Sequence, residues 1–185
     1  MNEHVPGRAL QLIRLVATAW LTVWLGLITL NNITDFGTNE ALIRQMFEMR
    51  PLLEDPVRGN GLEWRALPGG LAAAALVGVI LYEAFIVVLL ARSLPAGVRA
   101  LRGAGRPQEF TRRANRGLAA ALVLPAGFLA GGMWFGYWLF MGQVQQVHLT
   151  LLIIVSLVAV LVNVAGERTE SPATAPAERL EAPVG

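Results

Sequence analysis

Cysteine and lysine are both absent from this sequence of 185 residues. Without cysteine there is no disulfide framework and no thiolate metal site. Charged side chains are also scarce, at 15% of the chain against about 25% in a typical soluble domain. Apolar residues, by contrast, make up 55% even before the 19 glycines are counted, and the mean hydropathy is +0.53. This composition argues against a soluble globular domain, a disordered chain and a nucleic-acid-binding module. It indicates an integral membrane protein.

Four long apolar runs follow one another along the chain. About 20 residues of α-helix cross the hydrocarbon core, and no stretch alternates with the period of two that a β-barrel strand requires. We therefore predict an all-α fold, a four-helix transmembrane bundle, with spans at about residues 10–30, 68–91, 117–140 and 147–165. The first span is expected to remain uncleaved, because its apolar run is longer than that of a signal peptide and no small-residue cleavage site follows. Residues 166–185 are rich in Pro, Ala and Glu, and we predict a disordered tail there.

The arginines predict the orientation of the chain. Residues 92–116 contain seven Arg and one acidic residue, whereas residues 31–67 contain four Arg and six acidic residues. By the positive-inside rule, the 92–116 segment and both termini are cytoplasmic, and the 31–67 segment faces outward. We expect a multi-pass protein of the inner membrane whose polybasic segment attracts anionic headgroups. The arginines of this segment that we single out are Arg99, Arg102, Arg106, Arg112, Arg113 and Arg116.

The 31–67 segment contains a predicted amphipathic helix. Thr38 or Asn39 can cap its start, apolar residues follow at helical spacing as far as Phe47, and Arg50-Pro51 ends it. Such a helix lies on the outer membrane surface or on the bundle. Two interpretations are open, a lid over the outer end of the bundle or a binding surface. The candidate binding residues are Asn32, Asp35, Asn39 and Gln45.

The same segment resembles a known family. Residues 31–39, Asn-Asn-Ile-Thr-Asp-Phe-Gly-Thr-Asn, and residues 42–49, Leu-Ile-Arg-Gln-Met-Phe-Glu-Met, resemble the bacterial predicted small integral membrane protein family, a domain of unknown function numbered 2165. Further similar features are Trp64-Arg65-Ala66, Glu83, Phe110, Gly131-Gly132 and Trp134-Phe135. The family has an aromatic hydroxyl, a His, an Asp and a Glu where this chain has Phe36, Gln45, Arg50 and Met133, so this chain is a divergent member. The resemblance, over roughly residues 10–164, implies a fold and a location but no reaction.

Glu83 is the acidic residue inside the predicted spans. A charged group within a bilayer is costly unless it is paired or protonated, so Glu83 is expected to face the interior of the bundle. Counted from the inner edge, Arg14 in the first span lies within reach and is the candidate partner. Three roles remain open for Glu83: a structural group that fixes helix packing, a proton or ion relay, and a contact to a partner subunit.

The third span carries small-xxx-small pairs and a group of aromatic residues. The pairs are Gly127 with Gly131 and Gly132 with Gly136. They predict either close packing inside the bundle or association with a second copy or a partner helix. Trp134, Tyr137 and Trp138 follow at helical spacing and, together with Trp64, predict an aromatic belt at the outer membrane interface.

No pattern for catalysis or cofactor binding is visible in the sequence. It has no His-Glu-x-x-His and no Gly-x-Ser-x-Gly motif, and His4 and His148 are expected on opposite sides of the membrane, where they cannot ligate one haem. We predict neither metal nor cofactor, no enzymatic activity and no nucleic-acid partner. The prediction is a non-catalytic accessory or scaffold subunit of a membrane complex, with a membrane protein or a second copy as partner. The alternative is a small transporter or channel with Glu83 as its intramembrane polar site.

Overall fold

The computed structural model describes residues 5–59 and 61–164, and the predicted tail at 166–185 lies outside them. The long helices are α1 (Val5–Thr34), α4 (Ala72–Ala91), α6 (Pro107–Phe135) and α7 (Gly142–Asn163). The shorter helices are α2 (Phe36–Glu48), α3 (Arg50–Leu53) and α5 (Leu94–Leu101). Single 3-10 turns lie at Glu63–Arg65, Gly69–Leu71 and Tyr137–Leu139.

Four helical segments are long and apolar enough to cross a membrane, which confirms the predicted four-helix transmembrane fold. They are Gly7–Thr34, Glu63–Leu101, Pro107–Phe135 and Gly142–Asn163. Their boundaries differ from the predicted ones by several residues. The third helix begins earlier because Pro107 suits a first helical turn. It ends earlier because Gly136 adopts the left-handed conformation, with φ of 64°.

The long helices pack as antiparallel neighbours, α1 on α4, α4 on α6 and α6 on α7. The register of the last pair is set at one end by Asn115 and Asn163, whose side chains exchange two hydrogen bonds of 2.8 Å. Towards the other end, the rings of Phe128 and His148 lie 4.4 Å apart. The start of α1, the start of α6 and the end of α7 therefore share one end of the bundle, which we call the arginine-rich end. We call the opposite end the lid end.

The core consists of apolar side chains from all four long helices and α5. Leu21, Ile86 and Val155 are completely buried. Polar residues of α1 enter this core without breaking it, because the hydroxyls of Thr18 and Thr22 donate to carbonyls one turn earlier in the same helix, at 2.8 and 2.7 Å. In a bilayer, contacts of this kind stabilise the bundle by close packing more than by removal of surface from water.

The predicted amphipathic helix is α2, and it packs along α4 rather than away from the bundle. It begins at Phe36 with Asp35 in the capping position, not at Thr38 or Asn39. The reason is local: the Asn39 amide side chain donates to the Asp35 carbonyl at 2.9 Å and supports a turn that starts earlier. The helix ends at Glu48 because Met49 is left-handed, with φ of 51°.

A second, smaller apolar cluster holds the 31–67 segment, which we call the lid segment, against the lid end. It is centred on the buried residues Met49, Leu52 and Phe135. Leu52 lies against two glycines, Gly59 and Gly136, at which a Cβ atom would approach its side chain to within 2.7 Å. Both glycines have positive φ, so each position requires glycine for its backbone as well as for space. The segment therefore covers the bundle end, as the lid interpretation expects.

Candidate functional site

Glu83 lies inside the bundle, as predicted, but its partner is an amide rather than a cation. The side chain is 2% exposed, and Asn32 Nδ2 donates to both carboxylate oxygens at 2.9 Å. Asn32 lies near the end of α1, so this contact ties α1 to the middle of α4. Sequence reasoning placed Asn32 among outward-facing binding residues and missed this role. The available signal was an Asn at the end of one span together with an acidic residue inside the next.

The predicted pairing of Arg14 with Glu83 is wrong. Arg14 Nε donates to the Leu161 carbonyl at 3.1 Å, and its Nη2 donates to the Val164 carbonyl. The last carbonyls of a helix have no partner within the helix and carry partial negative charge, so an arginine stabilises them. Arg14 thus caps the end of α7.

The register of α1 against α4 explains the error. The prediction aligned the inner edges of the first two spans, but the packing of Gly26 beside Val87 shows that α1 is offset along α4. Asn32, 18 residues after Arg14, is the α1 residue level with Glu83. At 1.5 Å per residue, Arg14 is about 27 Å away along the helix.

The four glycines predicted for helix packing divide into two groups. Gly132 and Gly136 pack within the chain. A Cβ at Gly132 would come within 2.2 Å of Gln145 Oε1, and Gly136 is the left-handed residue that ends α6 beside Leu52. Gly127 and Gly131, by contrast, have no atom of the described chain within 4 Å of the position that a Cβ would take. Gly132 and Gly136 therefore pack inside the bundle, and Gly127 and Gly131 face out of it.

The outward face of α6 around Gly127 and Gly131 is shallow and apolar. Ala126 and Ala130 are exposed beside the two glycines. Val123 and Trp134, 60% and 48% exposed, lie at its two ends. No other helix of the described chain covers this face. We call residues 123–134 on this side the α6 glycine face.

Tyr137 does not belong to an aromatic belt, because it is 2% exposed. Its hydroxyl lies 2.9 Å from the Phe128 carbonyl and 2.8 Å from His148 Nδ1. The carbonyl can only accept, so the hydroxyl donates to it and His148 Nδ1 donates to the hydroxyl. The predicted helical spacing fails here since α6 ends at Phe135. Sequence reasoning missed this pair, which joins the end of α6 to α7.

The three tryptophans of the predicted belt are exposed, Trp64 at 68%, Trp134 at 48% and Trp138 at 47%. Trp134 packs edge-on against Trp64, with ring centroids 5.3 Å apart. The guanidinium of Arg65 lies over both rings, 5.2 Å from that of Trp64 and 5.4 Å from that of Trp134. This cation–π cluster joins the 31–67 segment to α6. The predicted belt already groups Trp64 with Trp134, but the sequence gives no indication that Arg65 lies over both rings.

The remaining candidate residues of the 31–67 segment do not converge. The Asp35 carbonyl accepts a hydrogen bond from the Asn39 side chain. The Asp35 side chain makes no capping bond to α2. Gln45 is exposed, and its backbone carbonyl accepts from the Met49 amide at the end of α2. The structure therefore does not assemble these three side chains into one site.

The polybasic residues are spread over α5, the connection that follows it and α6. Arg99 lies on α5, Arg102 caps its end, and Arg106 is the capping residue before α6. Arg113 forms an ion pair with Glu109 on α6. The other two arginines of the set, Arg112 and Arg116, line a cavity at the arginine-rich end.

Comparison with known proteins gives one match. A family model described as "Predicted small integral membrane protein (DUF2165)" matches residues 10–165. No curated protein matches this chain, and no solved structure does.

Proposed function

This chain belongs to the family of predicted small integral membrane proteins, and on that premise we propose that it is a non-catalytic accessory subunit of a membrane complex. Its docking surface is the α6 glycine face. The partner is a transmembrane helix of another subunit.

The observation that carries the proposal is the outward position of Gly127 and Gly131. Small residues allow two helix backbones to approach closely, and this close approach drives association where the hydrophobic effect between helices is absent. Gly132 and Gly136, at the end of α6, already serve contacts inside the chain, whereas Gly127 and Gly131 have open space beside them. A second helix packed on this face would use that space.

The polar groups inside the spans favour a packing role over transport. Glu83 is held by Asn32, and Arg14 is held by the end of α7. Each contact joins two helices. A relay residue needs access to a solute or a proton path, and Glu83 is 2% exposed. We therefore prefer the accessory role to the alternative of a transporter or channel built around Glu83.

We further propose that the protein lies in the bacterial inner membrane with its arginine-rich end in the cytoplasm. The support is the concentration of arginine at the end where α1 begins and α7 ends, combined with the positive-inside rule. The lid end, with its mixed charges, then faces outward.

The test is co-purification of tagged variants from the native cells in mild detergent. The variant G127L/G131L fills the glycine face with two large side chains. The matched control is G78L, an exposed glycine on α4 that also has no atom within 4 Å of its Cβ position. We expect the wild type and G78L to retain a second membrane protein in fixed ratio, and G127L/G131L to lose it while being recovered in similar amount.

Two results would overturn this proposal. Equal retention by G127L/G131L and the wild type would show that the α6 glycine face is not the docking surface. Recovery of the wild type alone or with further copies of itself would remove the accessory role.

A further inference from the structure

A cavity of about 750 Å³ opens at the arginine-rich end, between the start of α1, the start of α6 and the end of α7. Its lining combines polar and basic side chains with apolar ones, and no acidic residue of the described chain contributes to it. The polar side chains that matter are Gln11, Arg14, Gln108, Arg112, Asn115 and Arg116.

Two of these polar groups, Arg14 and Asn115, already have partners, whereas Arg112 and Arg116 have none among the described residues. Arg14 is bound to the carbonyls at the end of α7, and Asn115 is bound to Asn163. Within residues 5–59 and 61–164, Arg112 and Arg116 form neither an ion pair nor a side-chain hydrogen bond. They lie four residues apart on α6, so they project from the same face of that helix. Together they bring two charges to one cavity, and no described side chain neutralises either of them.

The start of α6 adds to the attraction for an anion. The cavity is lined by Pro107, Gln108 and Thr111, all from the first turns of this helix of 29 residues. Pro107 has no amide hydrogen and the Glu109 amide donates to the Arg106 carbonyl at 3.1 Å, so the Gln108 amide is the first-turn group that can contribute. The helix dipole is also positive at this end. Arginine side chains and such an amide together favour phosphate oxygens.

One side of the cavity is apolar and continues onto the surface of the spans. Leu10, Val162 and Val164 belong to the lining. Ile13 on α1 and Val160 on α7, 54% and 63% exposed, extend this surface away from the arginine-rich end. A ligand with a phosphate head and apolar chains matches both parts, whereas a soluble phosphate would use only the first.

We propose that this cavity binds a phosphate group, and that its source is an anionic phospholipid of the adjacent leaflet. Arg112 and Arg116 contact the phosphate, and the acyl chains lie along α1 and α7. This inference is independent of the α6 glycine face, because the two sites lie on different parts of α6.

The test is lipid retention by the purified full-length chain, measured by native mass spectrometry after incubation with phosphatidylglycerol or phosphatidylcholine. We expect one phosphatidylglycerol molecule to remain on the wild type in preference to phosphatidylcholine. R112Q/R116Q should retain it about tenfold less, since charge-assisted bonds to phosphate are the strong contacts here. R112K/R116K should regain part of the binding.

The matched control is R99Q/R102Q, which removes the same charge from the same polybasic segment outside the cavity. It should retain the lipid as the wild type does. Equal losses in the two double variants would show diffuse attraction and overturn the site, as would equal retention by R112Q/R116Q and the wild type. R116Q alone gives the same comparison if the double variant is recovered in low amount.

A second arm distinguishes the two sources of phosphate. Inorganic phosphate and glycerol 3-phosphate are added at millimolar concentration, and the thermal stability of the wild type and R112Q/R116Q is compared. We expect no stabilisation by either solute. Stabilisation that requires Arg112 and Arg116, without retention of phosphatidylglycerol, would overturn the lipid source and assign the cavity to a soluble phosphate ester.

Discussion

At the scale of single residues, the intramembrane carboxylate is held by an amide. Glu83 accepts two hydrogen bonds from Asn32 and has no cation beside it in the described chain. That Glu83 faces inward could be predicted, because the cost of exposing a carboxylate to lipid follows from its position in an apolar run. Its partner could not, because partner choice depends on the register between two helices, which hydropathy does not encode.

The Asn32–Glu83 contact predicts a double-mutant cycle. Asn32→Leu leaves the buried carboxylate without its donor and should lower the free energy of unfolding by about 1–3 kcal/mol. The double variant N32L/E83L removes both polar partners and should recover much of this loss. Thermal or denaturant unfolding in detergent measures all four forms. Additive losses, with no recovery in the double variant, would show that the contact does not stabilise the fold.

Asp55 in the lid segment predicts a dependence on acid pH. Its carboxylate accepts from the Arg58 and Val57 amides at 2.7 and 2.9 Å and from the Arg58 side chain. These bonds, led by that of the Arg58 amide, lower the pKa of Asp55 to about 2.

The direction of this pH dependence follows from the lowered pKa of Asp55 in the folded state. Because the folded pKa lies below the ordinary value of about 3.9, the stabilisation is complete above pH 4 and is lost as the pH falls towards 2. Proton titration by NMR should place the midpoint of Asp55 near 2, and Asp55→Asn should remove the transition. A midpoint near 3.9 would mean that the 55–58 turn does not form.

At the scale of elements, α6 shows what sequence patterns can and cannot establish. Its existence could be predicted from an apolar run, and its packing residues from the spacing of glycines. Which glycine pair packs inside could not, since both pairs have the same spacing and the choice depends on where α7 and the lid segment lie. The prediction of an aromatic belt was wrong at Tyr137 for a related reason. The left-handed Gly136 ends α6 before Tyr137, so this residue does not follow the helical spacing.

The division of the α6 glycines predicts opposite effects of the same substitution. Gly132→Ala places a methyl group against Gln145 and Tyr137 and should destabilise the isolated chain by about 1–3 kcal/mol, as overpacked cores do. Gly127→Ala has open space and should leave the stability unchanged or slightly raised, because alanine favours the helix. Unfolding in detergent compares the two. Equal stability of G132A and G127A would contradict the assignment of inner and outer faces.

At the scale of the whole molecule, the four spans could be predicted. The helix at the lid end could also be predicted, but the way it docks could not. The long apolar runs require crossing helices, and the amphipathic pattern of the 31–67 segment indicated a helix near the bundle. Its docking against the end of α6 depends on small features such as the fit of Leu52 between Gly59 and Gly136, which no periodicity reveals.

The absence of cysteine makes the proposed orientation directly measurable. Single cysteines at Val57, which is 81% exposed in the lid segment, and at Ala104, exposed between α5 and α6, report on the two ends. In right-side-out vesicles, a membrane-impermeant maleimide should label V57C at once and A104C only after permeabilisation. The reverse pattern would invert the topology.

The most direct test of the accessory role is the native mass of the wild-type chain extracted in mild detergent from its own cells. The chain alone has a mass of 20.0 kDa. We expect a larger particle that contains a second membrane protein in fixed ratio. A particle of the single chain, or of whole multiples of it, would show that the protein is not an accessory subunit.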